Sequence, residues 1–426
     1  MASGIPPQVH APQARAGQVL RRWKLWLIPG VLSALVALVL SLLYMGGILT
    51  PQDDLHRMPI ALVDADAGPP LPGQSAPLGA QVTDAVAAGT PPGQVQWRRV
   101  SRAEAQEQLA SGRVYGALVV PEDFSRTVAG LVSDQSSARP VLLTLTNPGV
   151  GSLASSLASQ ITQQAAHRSS LAIGQQLTSA APNASATAKL LLADPADVQV
   201  QQGHPIARHT GLGLSAFYYT LLLVLAGFLS ANLVHNGVDT ALGYADSEIG
   251  PWHTRRPTVP INRTQTLIVK MEMTAGLSAV TTTMIMVATI GILGMDAPHL
   301  PLLWLFSFAA CATVGLGAQA INAAFGSLGQ LVAMFVFIAL ALPSSGATIP
   351  LQATPSFYRF LGAFEPMRQV AGGVRAILYF DAQADAGLTR AWVMIGVGFV
   401  VALAFGFAMT TYYDRKGLHR MVPAPS

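Results

Sequence analysis

Residues 301–345 read PLLWLFSFAACATVGLGAQAINAAFGSLGQLVAMFVFIALALPSS, and no Asp, Glu, Lys or Arg occurs anywhere from Ala297 to Tyr358. A membrane span needs about 20 largely apolar residues, and a charge at its centre costs about 2.5–3.5 kcal/mol. This run is long enough for two spans, and Phe325-Gly-Ser-Leu-Gly-Gln330 supplies a tight turn in its middle. Outward from it, Met273–Met295, Gly211–Val234 and Leu25–Leu49 are apolar runs on the N-terminal side, and Ala391–Tyr413 is one on the C-terminal side. The sequence therefore predicts an α-helical polytopic membrane protein with six spans in a 1+5 layout, the fourth and fifth joined as a hairpin.

Composition agrees. The 426 residues are 51% hydrophobic and 11% charged, against about 25% charged in a soluble domain, so the lipid bilayer is an expected partner. The single cysteine, Cys311, permits no disulfide within the chain. The first apolar run is too long for a cleaved signal and has no A-x-A site, which makes it a signal anchor. Orientation follows from the basic flanks. Arg15, Arg21, Arg22 and Lys24 precede the first span, Arg255, Arg256, Arg263 and Lys270 follow the second, and Arg415, Lys416 and Arg420 follow the last. All three groups fall on one side, which places both termini in the cytoplasm of a bacterial cell whose inner membrane the chain crosses. The segment 347–390 then lies outside despite Arg359, Arg368, Arg375 and Arg390.

Between the first and second spans, residues 50–210 change character and predict an extracytoplasmic α/β domain. Strand-like runs at Pro59–Asp64, Val95–Val100, Val114–Val120 and Pro140–Leu145 alternate with helix-like ones. Ser101-Arg-Ala-Glu104 is a capping box that opens a helix ending near Gly112. Ser152–Leu192 is helical in pattern, and two readings stand: a layer covering one face of the sheet, favoured, or a projecting arm.

The order of these features resembles the YhgE/Pip proteins and the related nitrosoguanidine-resistance proteins, which belong with the membrane subunits of type 2 ABC exporters. The resemblance rests on Pro59-Ile-Ala-Leu-Val-Asp-Ala-Asp-Ala-Gly68, Leu109-Ala-Ser-Gly112 and Val114-Tyr-Gly-Ala-Leu-Val-Val-Pro-Glu-Asp-Phe-Ser125, and in the C-terminal half on Pro343-Ser-Ser-Gly-Ala-Thr-Ile-Pro350, Glu365-Pro366 and Val374-Arg375. It implies a permease-like fold, a homodimer, and a separate ATPase subunit as partner.

The chain's own chemistry is sparse. No Gly-Lys pair exists for a phosphate-binding loop, and neither a Gly-x-Ser-x-Gly elbow nor His-Glu-x-x-His occurs. His204 and His209 flank Pro205 without a nearby carboxylate. No enzyme activity, cofactor, metal or nucleic-acid partner is expected. Gly211-Leu-Gly-Leu-Ser-Ala216 and Gly315-Leu-Gly-Ala-Gln-Ala320 read as close helix packing by small residues.

Three groups remain as candidate working residues. Gln319 and Asn322 are polar at membrane depth, either structural interhelix hydrogen bonds or substrate contacts. Tyr244, Glu248, Trp252, Arg255 and Arg256 lie on a cytoplasmic loop that the resemblance makes a coupling surface toward an ATPase, the plainer reading being a solvated basic loop. Gly346, Pro350, Pro366 and Arg375 belong to a re-entrant or interfacial helix pair, whose arginines are expected to meet lipid phosphates. Lys270 and Glu272 read as anchors at the inner end of the third span, and Val19–Trp26 as an interfacial elbow or the plain start of the first. No ionisable residue is expected deep in the spans. Two functions fit: export of an amphipathic, drug-like or lipid-like substrate, or a non-transporting envelope protein or receptor acting through the extracytoplasmic domain.

Overall fold

The computed structural model describes residues 21, 23–47, 49–70, 77–133, 138–180, 185–418 and 420. Most of the basic N-terminal flank, most of the elbow segment and the break at 181–184 lie outside these residues. The chain forms two compact units, Met1–Gly46 and Gly47–Ser426. In the first, Trp23–Met45 (α1) is one helix with Trp23 and Trp26 exposed.

The second unit begins with a five-stranded sheet made of Met58–Asp64 (β1), Val95–Arg99 (β2), Gly116–Val120 (β3), Val141–Thr146 (β4) and Asp197–Gln202 (β5). The order is β2-β1-β3-β4-β5. β1 runs parallel to both neighbours and β5 parallel to β4, but β4 pairs antiparallel with β3, so the expected run of equivalent β-α units is broken there. β5 has no sequence signal: Asp197-Val-Gln-Val-Gln-Gln202 is polar on most positions and lies at an exposed edge.

β1 and β3 are apolar along their length because both faces are covered. Leu62, Leu118 and Val120 meet Leu78, Val82, Phe124 and Val128 from Leu78–Ala88 (α2) and Phe124–Val132 (α4). Ala61, Val63, Ala117 and Val119 meet Ala105 and Leu109 of Arg102–Ala110 (α3). α3 opens with the capping box foreseen at Ser101 and Glu104. Ser152–Ala180 (α5) lays Ala166, Ile173 and Leu177 on the α2–α4 face, which settles the layer reading over the arm; Ala186–Ala193 (α6) adds Leu192 to that core.

The Asp-Ala-Asp-Ala-Gly segment after β1 organises this domain. Asp66 accepts from the backbone N–H groups of Gly68 (3.1 Å), Gly79 (3.0 Å) and Ser125 (3.1 Å), and from the Ser125 hydroxyl. One carboxylate thus satisfies the first turns of both α2 and α4, where helix N–H groups otherwise lack partners. Burial raises the Asp64 carboxyl above the usual carboxylate range, opposed by its hydrogen bond from the Asp66 N–H.

Among the described residues, four helices are long and apolar enough to cross a membrane: Ser215–Ala241 (α7), Arg263–Ile292 (α8), Leu300–Ser344 and Leu388–Arg415. α8 is α-helical to Met286 and continues as a wide π-helical segment. The 45-residue element turns back on itself at Gly326, whose φ of 60° and ψ of −129° only glycine adopts readily. This is the turn expected at 325–330. It divides Leu300–Phe325 (α9) from an arm of Gly329–Met334 (α10), a π-helical stretch and Ala341–Ser344 (α11). The arm, 329–344, is about 24 Å long at 1.5 Å per residue, shorter than the roughly 30 Å hydrocarbon layer. The helix pair Ser356–Phe364 (α12) and Pro366–Tyr379 (α13) follows, and Leu388–Arg415 (α14) ends the described bundle.

Helix limits differ from the apolar runs in one consequential way. α7 continues seven residues past Val234, and α8 starts ten residues before Met273. His235, Asp239 and Lys270 therefore belong to the ends of long helices rather than to loops, and Lys270 is buried there instead of serving as an exposed anchor. Glu272, by contrast, is exposed. Gly211 also falls outside its helix, in a short 3-10 turn with Leu212 at φ 56°. Gly315 does serve close packing: a Cβ there would lie 2.6 Å from the Thr274 methyl.

The sheet domain is seated on the bundle. Phe380 is buried against Gly112 and Gly149, where an added Cβ would come within about 3 Å of its ring. Tyr115 donates to Gln352 (2.9 Å), and His204 Nε2, just after β5, donates to the Tyr379 carbonyl oxygen (2.8 Å). Burial raises the Tyr115 phenol above its ordinary pKa, which keeps it a neutral donor.

Replacing Asp66 by Ala leaves three backbone N–H groups and a hydroxyl without their charged acceptor. The sheet domain is expected to lose about 3 kcal/mol of stability, read as a lowered melting temperature of the purified protein and faster proteolysis within 77–133, while Asp64→Asn has a smaller effect.

Candidate functional site

His235 and Asp239 stand four residues apart, and therefore on one face of the last turns of α7. Lys270, two turns into α8, meets both: its Nζ lies 2.8 Å from Asp239 Oδ1 and 3.0 Å from His235 Nδ1. An ammonium can only donate, so His235 Nδ1 is the acceptor and the ring proton sits on Nε2, 3.4 Å from Asp239 Oδ2. Arg420, from beyond α14, donates to the same Asp239 Oδ1 at 2.7 Å and stacks 4.1 Å over the Tyr244 ring. One carboxylate thus serves two cations and one imidazole. The Lys270 side chain is 6% exposed and Asp239 12%, so neither charge is compensated by bulk water.

The cluster borders a cavity of about 340 Å³ that also touches Arg263, Asn322, Ser327 and Thr410. Gln319 sits one turn deeper and donates to the Ala231 carbonyl (2.8 Å) and Thr274 (2.9 Å), tying α9 to α7 and α8. Asn322 donates to Asn232 (3.0 Å), while its own carbonyl oxygen is buried without a partner among the described residues. Asp414 of α14 accepts from the Arg263 and Thr264 N–H groups, both at 3.0 Å, and so caps the start of α8.

Of the loop residues singled out in the sequence, only Tyr244 joins this site. Ser247–Ile249 (β6) and Trp252–Thr254 (β7) form an antiparallel hairpin that projects beside the cluster. Glu248, Trp252, Arg255 and Arg256 are exposed on and after it, Trp252 by 72%. Asp246 pairs with His253 (3.5 Å) and Arg255 (3.6 Å). The loop closes at Gly243, φ 75°, where a side chain would strike the carbonyls of Arg256 and Pro257 at 2.6 Å.

At the opposite end, α12 and α13 form a hairpin whose tip enters the bundle. Glu365 caps α13, accepting from the N–H groups of Met367 (2.7 Å) and Arg368 (2.8 Å). Met367 and Ala371 pack among Phe217, Val224, Val314 and Phe337, and Val374 and Ile377 among Tyr219, Leu303 and Phe306. Pro366 occupies the first position of α13, where its missing N–H costs nothing, and Pro350 precedes a 3-10 turn at Leu351–Ala353. Arg375 does not reach outward to lipid as expected: its guanidinium donates to the carbonyls of Ala347 (2.7 Å) and Gly346 (3.4 Å).

The sequence matches one family over residues 29–398. The chain belongs to the protein family of unknown function DUF3533. The family segment includes the sheet domain, His235, Asp239, Lys270 and the α12–α13 hairpin, and ends before Arg420. No curated protein and no solved structure matches the chain.

Sequence reasoning overlooked His235, Asp239 and Arg420 as site residues. The available signal was the four-residue spacing of a His and an Asp directly after an apolar run, which continues a helix face.

Asp239→Asn leaves Lys270 buried without its carboxylate and is expected to cost about 3–5 kcal/mol. The double variant Asp239→Asn, Lys270→Met removes both charges and should recover most of that loss. Thermal unfolding of the purified protein in detergent measures both. Arg420→Ala leaves Asp239 paired with Lys270 and should cost less, about 1.5–3 kcal/mol.

Proposed function

We propose that this protein is the membrane subunit of an exporter that moves an amphipathic, drug-like or lipid-like substrate outward and takes its power from a separate ATPase. The reading rests on the type 2 exporter resemblance of the sequence. The observation that supports it best is the exposed β6–β7 hairpin, carried on the loop between α7 and α8 and held beside a buried ion cluster that ties α7, α8 and the C-terminal segment together. A partner that pushes on Trp252 and Arg255 acts on the loop anchored at Tyr244, which stacks on Arg420. In this reading the chain crosses a bacterial inner membrane six times, α1 and the 329–344 arm included. The hairpin and both termini are cytoplasmic, and the sheet domain and the α12–α13 pair lie toward the outside.

The competing reading is an envelope protein acting through its sheet domain, in which the Asp239–Lys270 pair at the helix ends is purely structural.

Affinity purification of the full chain from its native membrane is expected to recover a nucleotide-binding subunit. Replacing Trp252, Arg255 and Arg256 together by Ala should reduce that recovery at least tenfold and abolish efflux, with the melting temperature unchanged. Absence of any ATPase, together with unaltered efflux in a deletion strain, would overturn the proposal.

A further inference from the structure

The cavity beside the ion cluster carries more positive charge than its own carboxylate balances. Arg263 and Lys270 line it from the first turns of α8 and Arg420 from the chain beyond α14, while Asp239 is the acidic side chain on its wall. His235 is neutral where it accepts from Lys270. Asp414, beside Arg263, already accepts from the N–H groups of Arg263 and Thr264 and from the Thr264 hydroxyl (2.7 Å). Two positive charges are therefore left uncompensated on a partly buried wall, an arrangement that is costly unless an anion joins it.

The donors to hold such an anion are present and unspent. Lys270, itself buried, uses two of its three N–H groups, on Asp239 and His235. Arg420 commits Nη1 to Asp239 and its face to Tyr244, and its Nε and Nη2 have no partner among the described residues. Arg263 directs Nε to the Leu418 carbonyl (2.6 Å) and lies 5.5 Å over the Tyr413 ring, which leaves both of its terminal nitrogens without a partner among the described residues. The rest of the wall includes the Ser327 hydroxyl and Asn322. At about 340 Å³ the cavity falls within the roughly 300–1,000 Å³ of ligand pockets. Phe325 and Leu328, flanking Gly326 and Ser327, are exposed, so apolar surface lies next to the cationic wall.

We infer that this cavity binds a phosphate monoester. Such a group carries about −1.5 to −2 charge at neutral pH and three strong acceptor oxygens, which matches the two uncompensated charges and the three cationic side chains. A carboxylate or a phosphate diester carries a single charge and leaves one cation unmatched. The guanidinium forks of Arg263 and Arg420 offer paired N–H donors in the geometry that phosphate accepts, and Lys270 adds a point charge. Two sources supply this chemistry: the headgroup of phosphatidic acid, with its chains on Phe325 and Leu328, or a small soluble phosphomonoester. Once bound, the anion ties the start of α8 to the segment beyond α14 through a second contact besides Asp239. The inference goes beyond the exporter reading and holds whether or not the chain exports anything.

The test uses the full chain, purified in a non-ionic detergent and titrated calorimetrically at neutral pH with dioctanoyl phosphatidic acid, dioctanoyl phosphatidylcholine, dioctanoylglycerol and glycerol 3-phosphate. Phosphatidic acid is expected to saturate a single site per chain and to bind at least tenfold more tightly than phosphatidylcholine or dioctanoylglycerol. Arg263→Gln removes a cation that stands outside the Asp239 cluster and should weaken binding at least tenfold. Arg263→Lys keeps the charge and should recover most of the affinity, a rescue that a folding defect does not give. Ser327→Trp fills the cavity from an exposed position with every charge in place and should also weaken binding at least tenfold, at an unchanged melting temperature. Glycerol 3-phosphate binding at least tenfold more weakly than phosphatidic acid assigns the lipid as the source, and equal or tighter binding assigns a soluble monoester. The inference is overturned if phosphatidic acid, phosphatidylcholine and dioctanoylglycerol bind alike, or if Arg263→Gln and Ser327→Trp leave the affinity unchanged.

Discussion

Among apolar helices a charge must find its opposite, and in this bundle Asp239 supplies that opposite for two cations at once. Its contacts with Lys270 and Arg420 join the end of α7 to the start of α8 and to the chain beyond α14. Gln319 and Asn322 extend the same cross-linking one turn deeper, through Ala231, Thr274 and Asn232. A buried pair of this kind adds little net stability, because desolvation offsets attraction. Its effect is to penalise every arrangement in which α7 and α8 slide past each other, since sliding leaves both charges without partners. The β6–β7 hairpin inherits a fixed root from that constraint, as its loop starts where the cluster ends.

A second constraint operates at the opposite end. α13 descends from no loop in water: its first turn lies among Phe217, Val314 and Phe337, so its free N–H groups need an acceptor within the protein. Glu365 provides one, and Arg375 does the complementary work for the carbonyls of Gly346 and Ala347. The short 329–344 arm makes the arrangement possible, because it stops before the bundle does and the hairpin occupies the remaining depth. Phe380, against Gly112 and Gly149, and Tyr379, whose carbonyl accepts from His204, then carry the sheet domain, so the domain is seated on the hairpin rather than suspended from a linker.

Much of this architecture was legible in the residues. The charge-free run with Gly326 in its middle announced a helical hairpin, and β1 and β3 announced a doubly covered sheet by being apolar throughout. The capping box at Ser101 and Glu104 is a local interaction, so sequence alone suffices for it. The misreadings share one origin: an apolar run marks where a helix meets lipid, not where its hydrogen bonding stops. α7 and α8 extend beyond their apolar runs, and that extension carried His235, Asp239 and Lys270 out of the loops to which hydropathy assigned them. β5 escaped notice because an edge strand needs little apolar surface; it is recruited by backbone pairing with β4.

The sequence by itself determined that the chain is a membrane-type helical protein carrying an inserted α/β domain, since both follow from periodicity and from the cost of burying charge. Only the tertiary structure decided which polar residues meet. His235, Lys270 and Arg420 converge on Asp239 from three separate segments, and Arg390 reaches Gln369 across 21 positions of sequence. Such encounters depend on helix rotation and depth, which are set by side-chain packing such as that of Gly315 against Thr274, and no pattern along one chain encodes them locally.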